Sequence, residues 1–165
     1  MNFTDAIEAD RSGLTEAAAN AYESVIVTEP ENRAAWLNLM VMYWLVLDPG
    51  DISARHLFRV AETRYPALAA AVAARFPAST EVRFWTAYTE WINYGDELTN
   101  DACKALLQED PTELAPVLFL YTHTPDEEYG EQASSLLAAA RQDTTARARY
   151  VVSVLEAALN RKRAR

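Results

Sequence analysis

The chain has 165 residues, half of them apolar, 24% charged, and a net charge of −9. That length fits one domain, residues 1–165, long enough to bury roughly 70% of the surface its unfolded chain exposes. Only four glycines, abundant alanine and no alternating Val, Ile and Thr exclude a sheet-based fold, and the acidic balance excludes nucleic acid as a partner.

Taken in chain order, turn and cap signals divide the sequence into segments of helical length. Helices are expected near residues 2–10, 14–28, 32–47, 52–64, 67–76, 80–94, 97–109, 113–122, 126–141 and 145–161. The fold class is therefore all-α, with about 8–10 helices and short linkers that make successive helices antiparallel. Ser79 or Thr80 is placed to cap the helix after Pro77, and Asp143 to Thr145 to cap the last one. Asp110-Pro111-Thr112-Glu113 reads as an N-cap, a proline in the first helical position and a glutamate closing the box; Thr124-Pro125-Asp126-Glu127 repeats that logic.

A spacing recurs along these segments. Ala18, Tyr22, Val25 and Pro30 stand at steps of four, three and five, and Ala54, Phe58, Ala61 and Pro66 repeat them 36 residues on. Ala133, Leu137 and Ala140 repeat the first two steps. Small residues let a helix cross its neighbour closely, a large one fills the joint, and proline ends the unit.

This spacing resembles the second helix of the tetratricopeptide repeat, whose period is about 34 residues. After Pro30, Trp36, Leu39 and Tyr43 fall at the family's large-residue positions in the first helix. Met40 stands where the family has a small residue, the turn from Leu47 to Asp51 is longer than usual, and Val117, Leu120 and Tyr121 meet the pattern only loosely. Residues 67–76 read as an inserted short helix. The resemblance implies a superhelix of antiparallel helix pairs whose first helices line a groove, and it carries the groove positions onto Leu37, Val41 and Trp44. The family's best-known groove holds a peptide carboxylate with basic side chains. No base stands at these three positions, so an apolar groove is expected instead.

The helix from Thr80 to Tyr94 is the other aromatic-rich element. Phe84, Tyr88 and Trp91 form a stripe expected to face the core, while Trp85 and Ile92 form a second stripe available to a partner. Glu90, Asp96, Glu97 and Asp101 follow closely and would rim that surface with acid. The wider segment from Ala87 to Glu131 holds eleven acids against the single Lys104. Residues 132–165 reverse the balance, with two acids and seven bases ending in Arg161-Lys162-Arg163-Ala164-Arg165, a helix end that complements the macrodipole.

Catalytic signatures do not emerge. His56 and His123 have no second ligand at metal spacing, no glycine-rich phosphate loop or nucleophile motif occurs, and no cofactor is expected. Cys103 is the one cysteine, which excludes an intramolecular disulfide, and a buried thiol is expected. Met40 to Leu47, the longest apolar run, is far short of the ~20 residues of a membrane span. Met1 to Asp5 carries no signal-peptide pattern, so a cytoplasmic location with no membrane partner is expected.

The function expected is a protein-protein interaction module, adaptor or chaperone-like, that binds a basic, partly apolar segment of another protein at Leu37, Val41, Trp44, Trp85 and Ile92, rimmed by Glu90, Asp96 and Glu97. A bacterial immunity or antitoxin-type inhibitor of a basic toxin is the alternative; thirteen Arg against two Lys, with high Ala, suits a GC-rich bacterial genome. A structural homo-oligomer using the same aromatics is the third.

Overall fold

Side-chain acceptors mark where helices begin. Asn2 and Asp5 form a reciprocal capping box at the first helix, with Asp5 N–H donating to Asn2 Oδ1 at 3.0 Å and Asn2 N–H to Asp5 Oδ2 at 2.9 Å. Asn32, Ser79 and Thr99 each accept a backbone N–H three residues on. The computed structural model describes residues 2–48, 55–124 and 128–164, and among them every regular element is a helix. These are α1 (Phe3–Arg11), α2 (Thr15–Thr28), α3 (Arg33–Val46), α4 (Arg55–Arg75), α5 (Thr80–Tyr94), α6 (Asn100–Glu109), α7 (Val117–His123), α8 (Gly130–Asp143) and α9 (Ala146–Arg163). No helix among the described residues is long and apolar enough to cross a membrane. The chain divides into two compact units, Met1–Pro77 with Thr144–Arg147 and Ala78–Asp143 with Ala148–Arg165.

In the first unit α1 packs on α2, α2 on α3 and α3 on α4. Helix α3 is apolar nearly all round, and Leu37, Leu39, Met40, Val41, Met42, Tyr43, Trp44 and Val46 are all buried. A helix without a polar face is stable in water only when surrounded, and each such side chain contributes about 1.5–3 kcal/mol on burial. A polar chain threads this core. Asp10, 1% exposed, accepts the Tyr22 hydroxyl at 3.0 Å, and the Asn38 amide donates to that same hydroxyl at 3.1 Å. The other Asp10 oxygen accepts Ala146 N–H at 2.7 Å, so the first N–H of α9 is capped by a carboxylate 136 residues away in sequence.

Two expectations about proline are overturned. Pro66 does not end a repeat unit; it lies inside α4, which continues through the segment read as a separate helix at 67–76. Leu57, Ala61, Tyr65, Leu68 and Val72 form one buried stripe across the proline. Burying that stripe outweighs the ~3 kcal/mol that an interior proline costs by removing a donor and crowding the preceding turn. Leu57, not Phe58, fills the joint, and Phe58 stays 38% exposed. Ala54 and the turn residues Pro49 to Asp51 lie outside the described residues. Pro111 likewise does not open a helix. Asp110 ends α6, and its carboxylate accepts Thr112 N–H at 3.1 Å and the Thr112 hydroxyl at 2.6 Å, closing a turn. The helix expected at 113–122 therefore starts at Val117. Pro125 to Glu127, the other capping sequence, lie outside the described residues.

In the second unit α5 packs on α6, α6 on α7 and α7 on α8. Its core runs through aromatic rings. Phe84, Trp85 and Tyr88 contact one another at centroid distances of 5.3 to 5.8 Å. The Tyr88 and Tyr150 hydroxyls share a hydrogen bond of 2.9 Å, and Trp91 meets Phe119 edge-on at 5.1 Å. Such pairs contribute about 0.5–1.5 kcal/mol beyond the area they bury.

Replacing Asp10 by Ala leaves the Tyr22 hydroxyl and the first N–H of α9 without their acceptor, and is expected to cost about 2–3 kcal/mol in urea denaturation. Pro66→Ala restores a helical N–H at an exposed site and is expected to stabilise by about 1–3 kcal/mol in the same assay. A helix that ended at Pro66 would show no gain.

Candidate functional site

Helix α5 is positioned by its inward stripe and terminated by Gly95, whose φ of 73° is the left-handed conformation that a glycine adopts freely and that closes a helix. The residues before and after that stop are left in solvent. Ile92 is 44% and Tyr94 68% exposed, whereas Phe84, Trp85 and Tyr88 on the inward side are buried. Glu90, Asp96, Glu97 and Asp101 are exposed around the same end. None of the four has an ion-pair partner among the described residues. The carbonyl end of α5 adds its own negative pole. Ile92 and Tyr94, two residues apart, thus project on different sides of the last turn of α5, with acidic residues close along the chain.

The predicted binding residues separate accordingly. Ile92, Glu90, Asp96 and Glu97 are all exposed and lie close along the chain at the end of α5 in the second unit. Trp85 is on the same helix but turned inward, 2% exposed, with its ring against Phe84, Tyr88 and Tyr150. Leu37 and Val41 are fully buried and Trp44 is 7% exposed within α3 of the first unit, so all three contribute to packed core. The apolar all-round character of α3 already carried that signal. Tyr94, the most exposed aromatic, stood in the sequence directly before a helix-ending glycine, where no turn remains to cover it.

Beside this surface, Trp91 is only partly covered and bears an exposed histidine. The His123 ring stacks on Phe119 at 4.2 Å and stands edge-on to Trp91 at 5.1 Å. Its Nδ1 lies 2.9 Å from the Phe119 carbonyl and 2.8 Å from the Thr122 hydroxyl, so the ring is held by its own helix.

The remaining reactive groups are committed to structure. Burial, then the hydrogen bond and charge of Glu23, push the Tyr43 phenol up, and that carboxylate also pairs with Arg64. Burial first, then the Tyr150 hydroxyl, push up Tyr88. Burial alone pushes the Cys103 thiol up to about 12. Among the described residues no three His, Cys, Asp or Glu side chains converge as a metal site.

A thiol held so far above its ordinary range is not a nucleophile at neutral pH. Cys103 is expected to resist iodoacetamide in the native protein near pH ~8 and to react fully once denatured, as read by mass spectrometry. Between the thiol's ordinary value of 9.0 and about 12 the unfolded chain releases a proton that the folded chain keeps. Stability is therefore complete below that window and falls as pH rises through it.

Compared with known proteins, the chain matches no family model, no curated protein and no solved structure.

Proposed function

We propose that this chain is a protein-binding module, adaptor or chaperone-like and built on tetratricopeptide-like helix pairs, that captures a basic, partly apolar segment of another protein at the end of α5. The observation that carries the reading is the exposure of Ile92 and Tyr94 near Glu90, Asp96, Glu97 and Asp101, none of which has an ion-pair partner among the described residues. Tyr is among the residue types that anchor interfaces, and clustered like charge raises the free energy of the unbound surface. A basic segment relieves that repulsion while its apolar side chains cover the two exposed ones. A two-fold contact of this surface with itself would set carboxylates against carboxylates, so the partner has to bring positive charge. Burial of Ala18, Tyr22 and Val25, and of Ala133, Leu137 and Ala140, supports the helix-pair reading, because small residues occupy the close approaches.

The test is calorimetry with a peptide alternating Arg or Lys with Leu or Phe, against the wild type and two variants. Ile92→Ala/Tyr94→Ala is expected to weaken binding by roughly 30-fold or more, the equivalent of a hot spot of about 2 kcal/mol. Glu90→Gln/Asp96→Asn/Glu97→Gln is expected to weaken it and flatten its salt dependence. Equal affinity for wild type and both variants would remove the end of α5 as the binding surface.

A further inference from the structure

The second unit also presents a surface of opposite character. Helix α8 packs on α7 but not closely on α9, and the space between α8 and α9 is an open groove of about 530 Å³. Leu137, Ala138 and Leu159 supply its apolar lining, and Arg141 and Arg163 its cations. Arg141 is paired with Glu156, which also lines the groove, at 2.7 Å, whereas Arg163 has no ion-pair partner among the described residues. Lys162, by contrast, is committed, donating to the Thr124 carbonyl at 3.2 Å with its ammonium over the Tyr121 ring at 4.1 Å.

We propose that this groove receives the end of α5 from a second copy of the chain. The inference rests on the reading of that end as a docking surface and names its partner. The two surfaces complement each other in both respects that matter. Exposed Ile92 and Tyr94 meet Leu137, Ala138 and Leu159, and the carboxylates of Glu90, Asp96 and Glu97 meet the guanidinium group of Arg163. The contact is heterologous, one copy giving the end of α5 and the next giving the groove. Assembly is therefore head-to-tail and continues until a ring closes or a chain of copies forms.

The experiment uses the full chain and two surface variants, each checked for unchanged helical circular dichroism. Tyr94→Arg removes the inserted ring and reverses charge at the end of α5, while Ala138→Glu fills the groove with a carboxylate. Sedimentation equilibrium is expected to show the wild type growing beyond a monomer as concentration rises, and each variant alone remaining monomeric. Mixed in equal amounts, the variants are expected to form a discrete dimer, because each keeps the surface that the other lacks. A monomeric wild type, an Ala138→Glu variant that assembles like wild type, or a mixture without the dimer would overturn the proposal. The basic peptide of the preceding section separates the two readings. If it binds in a Tyr94-dependent manner to a wild type that stays monomeric, the α5 surface stands and the second copy is not its partner. If it does not bind and nothing assembles, both fall.

Discussion

A carboxylate taken out of water must be answered by donors, and in the first unit that constraint falls on Asp10. Its two oxygens reach the Tyr22 hydroxyl on α2 and the first N–H of α9, and Tyr22 in turn accepts from Asn38 on α3. An isolated buried charge would cost several kcal/mol, so these elements have little freedom to slide without leaving it unpaired. The positive pole at the start of a helix is a suitable partner for a carboxylate, and α9 presents that pole to Asp10. Apolar packing around α3 supplies the bulk of the driving force; the polar chain selects one arrangement of the packed helices over others of similar hydrophobic content.

In the second unit the corresponding element is aromatic. Trp85, Tyr88 and Tyr150 lock α5 to α9, and Trp91, Phe119 and His123 continue the rings toward the end of α5. A rigid base of this kind holds the last turn of α5 in place while leaving Ile92 and Tyr94 uncovered.

Charge is distributed as unevenly as exposure. Eleven acids against one base in residues 87–131 stand beside seven bases against two acids in residues 132–165, and both segments belong largely to one compact unit. Some of this charge is internal, as where Arg83 pairs with Glu109 and Arg141 with Glu156. Exposed pairs like these contribute roughly 0–1 kcal/mol each and do not explain the segregation. Segregated charge governs which surfaces approach one another and how fast, which is where its physical effect is largest.

The all-helical class, the positions of α2, α3 and α5, the Ser79 cap and the buried thiol were legible from the sequence, because local propensity and a 3.6-residue period determine them. The acidic end of α5 was legible for the same reason, since Glu90, Ile92, Asp96 and Glu97 are close along the chain. Pro66 and Pro111 were not. A proline's local preference against helix yielded at Pro66 to a stripe of buried side chains, while at Pro111 the Asp110 carboxylate closed a turn and the helix began later. Nor could a periodicity say that Trp85 is buried and Ile92 exposed, although the two stand seven residues apart on one stripe of α5. Asp10 capping α9 joins residues 136 apart in sequence. Contacts of that kind carry no local signature, and only the packed chain decides them.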